Sequence, residues 1–413
     1  MAKVIILGGS GQVGGAAVRT LVLSDVFSQV VIGDLDIEKA QSLVEKINSE
    51  KLSAVKVDGS DPLSVKNAIM GCDMVVNCVG PFYKTMKPIL TAVIESEINY
   101  VDVSDDVSVL DTVFQMDPSA KNAKITALVG LGFSPGVTNL MGKLASQLLD
   151  ETDAIDIYHT HGGEPEEGAG VIAHRFHCMS VDCPVFLDGE LKYVKFFEED
   201  GMALREKVDF LGLEKGTPVY PYPHPEQVTM PNYIKVNRVT NKGSVLPNEY
   251  YDLTMDICRL GLNTTEPLEV KDQTVLPYDF SIAYIIKERE RILEKTAFGI
   301  QRGASLVSIK GTKNGKPRQY LFKAFSSGGK HSGLGVATGI PAAVGAILMQ
   351  QGKINQKGIL PPEACVNPSD FFPLWEQMTA LVTEKKKPFD SIVEIINEKG
   401  EHSITDIPSL YNS

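Results

Sequence analysis

The chain has 413 residues, of which 43% are hydrophobic and 22% charged, a composition typical of a globular protein that buries more than one core. Its 52 acidic side chains outnumber the 40 basic ones, and the net charge of −12 repels nucleic-acid phosphates and anionic lipid surfaces. No segment reaches the roughly 20 consecutive apolar residues of a membrane helix. We therefore expect no nucleic-acid partner and no association with a membrane.

Two features predict a cytoplasmic protein. The apolar run Val4–Leu7 that precedes the first glycine cluster is shorter than the about 7–15 residues of a secretory signal core. The six cysteines show no paired spacing, so we interpret them as reduced thiols rather than as a disulfide framework or a zinc site.

In the first 130 residues, short β-branched runs alternate with helical patterns such as 37–48. This alternation predicts a doubly wound parallel sheet of the Rossmann type. The predicted strands are Lys3–Leu7, Val30–Asp34, Ala54–Asp58, Met74–Gly80, Asn99–Ser104 and Ile125–Gly130.

A glycine-rich segment follows the first strand, and Gly9, Gly11 and Gly14 fit the pattern G-x-G-x-x-G. Such glycines let backbone amides approach a pyrophosphate at a helix N-terminus. Asp34 ends the second strand, where a carboxylate accepts hydrogen bonds from ribose hydroxyls. The segment therefore predicts a dinucleotide site whose loop residues are Gly9, Ser10, Gly11, Gln12 and Val13.

Asp34 also affects the choice between NAD and NADP. Asp34 repels a 2′-phosphate and so favours NAD, whereas Lys39 could offset that repulsion and leaves NADP open. Asp58, after the third strand, is predicted to lie near the adenine, although an acid there can also cap a helix. Val79, Gly80 and Pro81, after the fourth strand, are predicted to lie near the nicotinamide ribose.

After a helix at 136–149 the pattern changes to an α+β domain with a mainly antiparallel sheet. The predicted strands are Ala154–His161, Gly216–Tyr222, Tyr233–Val239, Ala304–Gly311 and Gln319–Ser326, and Asn314-Gly315 predicts a hairpin between the last two. The proline-rich segment 218–231 is predicted to be a loop or an edge, because prolines cannot donate to a sheet ladder.

An alanine-rich helix is predicted at 339–350, packed closely on the first domain. We therefore predict three parts: a dinucleotide-binding domain (1–133), a catalytic and dimerisation domain (134–336), and C-terminal helices that return to the first domain (337–413).

Four segments resemble the saccharopine dehydrogenase family, within it the branch of saccharopine reductase, lysine 6-dehydrogenase and carboxynorspermidine dehydrogenase. They are the glycine-rich loop with its acidic strand, Asn77–Phe82, Gly132–Asn139 and Thr338–Ala343. The resemblance implies the same domain order, a homodimer, and hydride transfer at a CH–NH bond through an imine. It also implies that the Ser134-Pro135-Gly136 turn joins the two domains.

Amine oxidation needs a proton carrier and a cation for a substrate carboxylate. His174 and His177 are three residues apart on a predicted helix and so share one face, and an imidazole titrates near neutral pH. Arg175 is the predicted carboxylate clamp. The alternative is that one histidine is a satisfied interior residue and the other is exposed, and we predict no metal site because no third ligand is placed.

Other candidates are weaker. Asp105 follows the fifth strand and can orient an amine or cap a helix, and His224 with Tyr222 can form a wall of the site. His159 and His161 are interpreted as structural, and Lys330-His331 could touch substrate.

The sequence thus predicts an NAD(P)-dependent oxidoreductase that acts on the CH–NH bond of an amino acid or an amino-acid-derived imine, with a small amino-acid or polyamine-type substrate. The alternatives are a carboxynorspermidine-type condensing reductase, a redox-neutral NAD-dependent lyase or synthase, and a nucleotide sensor without catalysis.

Overall fold

The computed structural model describes residues 2–164, 167–328, 333–385 and 390–411. Over these ranges the chain forms a seven-stranded sheet, a ten-stranded sheet and a small two-stranded hairpin. The predicted Lys330-His331 pair lies outside the described residues.

The first sheet is parallel, with helices on both faces. In the strand Lys3–Leu7, Val4 and Ile6 pack into one core and Ile5 and Leu7 into the other, as expected for a strand covered on both sides. The elements are β1 (Lys3–Leu7), α1 (Gln12–Leu23), β2 (Gln29–Asp34), α2 (Ile37–Ile47), β3 (Leu52–Lys56), α3 (Pro62–Ile69), β4 (Met74–Asn77), α4 (Phe82–Glu95), β5 (Asn99–Asp102), α5 (Leu110–Phe114), α6 (Asp117–Asn122) and β6 (Thr126–Leu128).

The strand order β3-β2-β1-β4-β5-β6 confirms the doubly wound prediction. Strand β3 begins and ends two residues before the predicted Ala54–Asp58. The predicted strands Met74–Gly80, Asn99–Ser104 and Ile125–Gly130 end earlier than expected, because the chain leaves the sheet into the loops that face the carboxyl edge.

The second sheet is mainly antiparallel, as predicted. Its elements and the neighbouring helices are α7 (Val137–Leu148), β7 (Glu151–Gly162), α8 (Ala169–Ser180), β8 (Cys183–Leu187), β9 (Glu190–Val194), α9 (Glu199–Ala203), β10 (Glu206–Val208), β11 (Thr217–Pro221), α10 (Glu226–Thr229), β12 (Arg238–Leu246), α11 (Asn248–Arg259), β13 (Leu268–Val270), β14 (Gln273–Val275), α12 (Pro277–Lys295), β15 (Arg302–Lys313) and β16 (Lys316–Ser327). The hairpin at Asn314-Gly315 is confirmed, since both residues have positive φ and join β15 to β16.

Two predictions for this domain were wrong. The expected strand Tyr233–Val239 is mostly irregular, and the real strand, β12, starts at Arg238 and runs parallel to β7. The proline-rich segment is not only a loop or an edge, because the predicted strand Gly216–Tyr222, found as β11, has neighbours on both sides. Strand β11 avoids the missing proline donors because its first half pairs with β10 and its second half with β12.

The C-terminal part visits both domains. Its elements are α13 (Leu334–Gln350), β17 (Gly358–Leu360), α14 (Pro362–Cys365), α15 (Pro368–Thr383), β18 (Asp390–Ile396), β19 (His402–Thr405) and α16 (Ile407–Leu410). Helix α13 packs on α1 and β17 adds to β6, whereas β18 pairs with β16 in the second sheet. The expectation of helices alone over 337–413 therefore missed three strands, and the limits of the three predicted parts stay predictions.

Helix α13 approaches α1 so closely that a glycine is needed at the contact. A Cβ on Gly339 would lie 2.2 Å from the carbonyl oxygen of Val13 and 3.0 Å from the Cβ of Ala16. Because backbone cannot move away as a flexible side chain can, any larger residue there must push the two helices apart.

We predict that Gly339→Ala lowers the melting temperature, since overpacking of this kind costs about 1–3 kcal/mol. Differential scanning fluorimetry measures the change. The matched control is Gly170→Ala in α8, where a Cβ would meet nothing within 4 Å. A Gly339→Ala melting temperature equal to that of the wild type would contradict the close packing of α13 on α1.

Candidate active site between the two domains

The glycine-rich loop has the shape of a dinucleotide cradle. Helix α1 begins at Gln12, and its N-cap Gly11 makes no side-chain capping bond, so amides of the first turn stay free of a side-chain cap. A Cβ on Gly14 would lie 2.2 Å from the carbonyl oxygen of Gly8. The residues present therefore fit a pyrophosphate held by main-chain amides at the helix N-terminus.

The Asp34 carboxylate is fixed beside this loop. Its Oδ2 accepts hydrogen bonds from the Ser10 amide at 2.9 Å and from the Ser10 hydroxyl at 2.6 Å, and its Oδ1 accepts one from the Asp36 amide at 3.2 Å. The structure thus places the predicted ribose-binding acid next to the predicted pyrophosphate loop.

The other predicted cofactor residues occupy the same edge. The Cys78 carbonyl and the Val79 side chain pack against Gly8, so the loop of Val79, Gly80 and Pro81 borders the cradle. Asp58 is bound within its own turn, because its carboxylate accepts from the amide and the hydroxyl of Ser60, and these hydrogen bonds lower its pKa. Their contacts with a cofactor stay predictions.

A cavity of about 410 Å³ lies between the two domains. Its first wall belongs to the dinucleotide-binding domain and includes Val13, Gly80 and Asp105. Its second wall belongs to the other domain and includes His174 and His224. The cavity therefore joins the nicotinamide end of the predicted cofactor site to the predicted catalytic residues.

His174 and Asp105 form an ion pair across the domain boundary, with Nε2 and Oδ2 3.5 Å apart. Burial alone would lower the pKa of His174, but the charge of Asp105 raises that pKa well above its ordinary value, and Cys178, 3.4 Å away, adds to the rise. Burial raises the pKa of Asp105, but the charge of His174 lowers it, and the resulting pKa is about 2. The pair is therefore charged at neutral pH.

His177 lies on the same helix, α8, but makes different contacts. Its Nε2 is 3.6 Å from Oδ1 of Asp106, and its ring stacks on Tyr83 at a centroid distance of 5.1 Å. The residues that line the cavity do not include it. The prediction that both histidines act together in the site stays untested, and only His174 faces the cavity.

Arg175 is already paired with a carboxylate of the protein itself. Glu167 pairs with its Nη2, and the same carboxylate accepts a hydrogen bond from the Tyr250 hydroxyl at 2.7 Å and pairs with Arg289 at 3.1 Å. Arg175 still borders the cavity, and its Nη1 is buried without a hydrogen-bond partner among the described residues. A substrate carboxylate that bound to Arg175, as predicted, would therefore have to compete with Glu167.

His224 belongs to a buried polar cluster. Its Nδ1 is 3.2 Å from the Ser134 hydroxyl, 3.2 Å from the Asn241 amide nitrogen and 3.5 Å from Oε2 of Glu226. Burial raises the pKa of Glu226, but the charge of His224 and the hydrogen bonds from His224 and Ser134 lower it below its ordinary value. A buried carboxylate is thus held ionised beside the imidazole.

Sequence reasoning missed Glu226 and Asn241 as partners of His224. Glu226 lies two residues beyond His224, so its proximity could have been noticed. The proximity of Asn241 to His224 could not be predicted, because the strand before Asn241 was expected to end at Val239. Ser134 was predicted only as part of the turn between the domains. In that turn Gly136 has φ +126°, and a Cβ on it would lie 2.1 Å from the Gly132 carbonyl oxygen, so glycine is required there.

The remaining aromatic and imidazole candidates line the same cavity. Tyr222 packs edge-on against His224 at 4.9 Å, and His159 stacks on His224 at 5.3 Å. Burial and the charge of His224 lower the pKa of His159 to about 3, so this ring is neutral and acts as a wall, in line with its structural interpretation. His161 pairs with Glu164 at 2.9 Å.

Residues 4–128 match the model of the saccharopine dehydrogenase NADP binding domain. The first domain is therefore similar to the NADP binding domain of the saccharopine dehydrogenases. This match confirms the predicted resemblance, the predicted NAD(P) cofactor and the predicted dehydrogenase class. The whole chain also adopts the fold of the apo saccharopine dehydrogenase (L-Glu forming) of Saccharomyces cerevisiae, with a TM-score of 0.65, 15% identity, and coverage of 98% of this chain and 100% of that one.

Two curated relatives are similar over nearly the full length. The carboxyaminopropylagmatine dehydrogenase of Synechocystis sp. is 23% identical over 87% of this chain and 92% of its own length. The carboxynorspermidine synthase of Vibrio cholerae is 25% identical over 88% of this chain and 92% of its own length.

Two further observations concern only the part of the chain that the structure describes. It contains no helix with the length and apolar character needed to cross a membrane. It also contains no group of three or more His, Cys, Asp or Glu side chains arranged to hold a metal ion, and its six cysteines are free.

We predict that Asp105→Asn lowers the pKa of His174, because the substitution removes the negative charge that stabilises the imidazolium. Nuclear magnetic resonance titration of the ring carbons measures the midpoint. His402, which is remote on β19, serves as the internal reference in the same spectra. An unchanged His174 midpoint in the variant would contradict the cross-domain ion pair.

Proposed function

We propose that this protein is an NAD(P)-dependent oxidoreductase that acts on the CH–NH bond of an amino-acid-derived or polyamine-type amine. One observation carries the proposal. A single cavity is bordered on one side by Val13 and Gly80 of the dinucleotide site and on the other by two imidazoles, each beside a carboxylate. Such a site brings a hydride carrier and proton carriers to one substrate.

The names of the curated relatives support a narrower form of the proposal. Both names contain a carboxylated amine, carboxyaminopropylagmatine in one and carboxynorspermidine in the other. We therefore favour a condensing reductase, in which an imine formed between an amine and a carbonyl compound is reduced to a secondary amine, over a dehydrogenase of lysine or saccharopine.

The first domain positions the cofactor. The amides at the start of α1 would bind the pyrophosphate, and Asp34 would accept hydrogen bonds from the adenosine ribose hydroxyls. Val79, Gly80 and Pro81 would hold the nicotinamide ribose, and Asp58 would lie on the adenine side. The cofactor would supply or accept the hydride.

The second domain handles protons. His174 is protonated at neutral pH because of Asp105, so it can hold a proton close to the substrate nitrogen. His224 is fixed by Ser134, Asn241 and Glu226, so its ring keeps one orientation towards the cavity. Tyr222 and His159 pack on His224 and exclude water from that side.

The test is turnover by the purified protein of carboxynorspermidine, saccharopine and lysine with NAD or NADP, followed by the absorbance of the reduced nicotinamide. We expect formation of reduced cofactor with carboxynorspermidine. We also expect a higher kcat/KM with NAD than with NADP, because Asp34 repels the 2′-phosphate. Product detected by mass spectrometry without reduced cofactor would point to the redox-neutral alternative, and no reaction with any substrate would contradict the proposal.

In the same assay, His224→Gln is expected to lower kcat by about 10²–10⁴-fold, the range for loss of a general acid or base. The affinity for the cofactor, measured by calorimetry, should not change, because His224 lies in the other domain. The control is His402→Gln, an exposed imidazole on β19. A His224→Gln variant with full kcat would remove His224 from the mechanism.

We further propose a cytoplasmic homodimer. The free cysteines of the described residues support a reducing compartment, and the family resemblance supports the dimer. Static light scattering is expected to give the mass of two 44.9 kDa chains. The mass of one chain at micromolar concentration would contradict the dimer.

A further inference from the structure

Most of the charged groups that line the cavity are matched in pairs, and among those that the structure describes only Arg302 and Lys385 have no acidic side chain within 4.0 Å. Two arginines share the buried carboxylate of Glu167: Arg175 through Nη2 and Arg289 through Nε at 3.1 Å. Both guanidinium groups are stabilised further by the ring of Tyr250, at 5.1 and 6.0 Å from its centroid. The protein itself thus neutralises the arginine that the sequence suggested as the substrate clamp.

Three of the four imidazoles that line the cavity are also paired with a carboxylate, and the fourth, His159, is neutral. His174 lies 3.5 Å from Asp105 and His224 lies 3.5 Å from Glu226. His161 lies 2.9 Å from Glu164. A substrate carboxylate that bound to one of these groups would have to compete with a carboxylate already in place.

Arg302 differs from the paired groups, and its planar guanidinium, unlike the ammonium of Lys385, matches both oxygens of a carboxylate. Arg302 is the first residue of β15 and lines the cavity, and its guanidinium lies 5.1 Å from the ring centroid of Phe298. Among the residues that the structure describes, no acidic side chain lies within 4.0 Å of it, the distance at which the other pairs are formed. The aromatic ring orients the guanidinium but leaves its hydrogen-bond donors available.

The surroundings of Arg302 are suited to an anion. Gln301, Ser305 and Ser326 also line the cavity and are uncharged hydrogen-bonding residues. The cavity itself is held in place there by the pairing of Arg302 with Gly162 on β7 and with Ser327 on β16. An oriented guanidinium in a partly enclosed pocket, without a competing acid, is a strong site for a carboxylate, because its planar donors match two oxygens.

We propose that Arg302, rather than Arg175, binds the carboxylate of the substrate. This inference rests on the proposed function for the identity of the ligand, and it defines the ligand as an amine or imine that carries a carboxylate remote from the reacting carbon. Arg302 is then a specificity-determining residue, and Arg175 with Glu167 supports the wall of the cavity.

The experiment compares two probes that differ by one carboxylate, carboxynorspermidine and norspermidine. Calorimetry measures their binding to the wild-type protein and to Arg302→Gln in the presence of NAD. We expect the wild type to bind carboxynorspermidine about 10–100-fold more tightly than norspermidine, the range for a hydrogen bond to a charged group. In Arg302→Gln this difference should disappear, while the affinity for NAD stays unchanged and shows that the variant is folded.

Two further variants sharpen the test. Arg302→Lys keeps the charge but loses the planar fork, so it should recover only part of the carboxylate preference. Arg318→Gln, on β16 and outside the cavity, is the matched control and should bind both probes as the wild type does. A preference that persists in Arg302→Gln, or a wild type that binds both probes equally or binds neither, would overturn the proposal.

The outcome separates this inference from the proposed function. If the wild type oxidises carboxynorspermidine and Arg302→Gln keeps the same KM, the oxidoreductase stands and the role of Arg302 falls. If no substrate is oxidised but carboxylate-dependent binding is lost in Arg302→Gln, the carboxylate site stands and the reaction is wrong.

Discussion

Two histidine–aspartate contacts join the domains beside the cleft on which the rest of the site depends. His174 and His177 of helix α8 each face an aspartate in the loop that follows β5, at 3.5 Å from Asp105 and 3.6 Å from Asp106. The loop lies at the carboxyl edge of the parallel sheet, where ligands bind in this fold class. The contact with Asp105 therefore both joins the domains and keeps His174 charged next to the nicotinamide end of the predicted cofactor site.

The sign of these contacts sets their dependence on pH. Because the pKa of Asp105 is held at about 2 and that of His174 is raised well above its ordinary value, the pair is intact over the neutral range. Its contribution to stability is lost on acidification, when Asp105 is protonated, and on alkalinisation, when pH passes through the raised pKa of His174. Loss of the proton from His174 therefore also weakens the contact between the domains.

Local pattern was sufficient to predict the first domain. Strand β1, the glycine loop and Asp34 are contiguous or nearly so, and each requirement of the fingerprint can be read from spacing. The second domain depends on pairings between distant segments, which spacing does not reveal. Asn241 reaches His224 because β12 pairs with β11, which leads into the segment of His224, and Arg302 is distinguished from Arg175 by the position of Glu167. Strand β18 was missed for the same reason, since its partner β16 lies more than sixty residues earlier.

The C-terminal path has a consequence for how the two halves are held together. The polypeptide passes from the first domain to the second before α7, returns with α13 and β17, and crosses again to reach β18. Each domain is therefore assembled from segments that are not adjacent in the chain. Proteolysis at any one crossing would separate segments that pack within the same domain, and a fragment that stops after β6 would lack the helix that covers α1 and would expose its apolar face to aggregation.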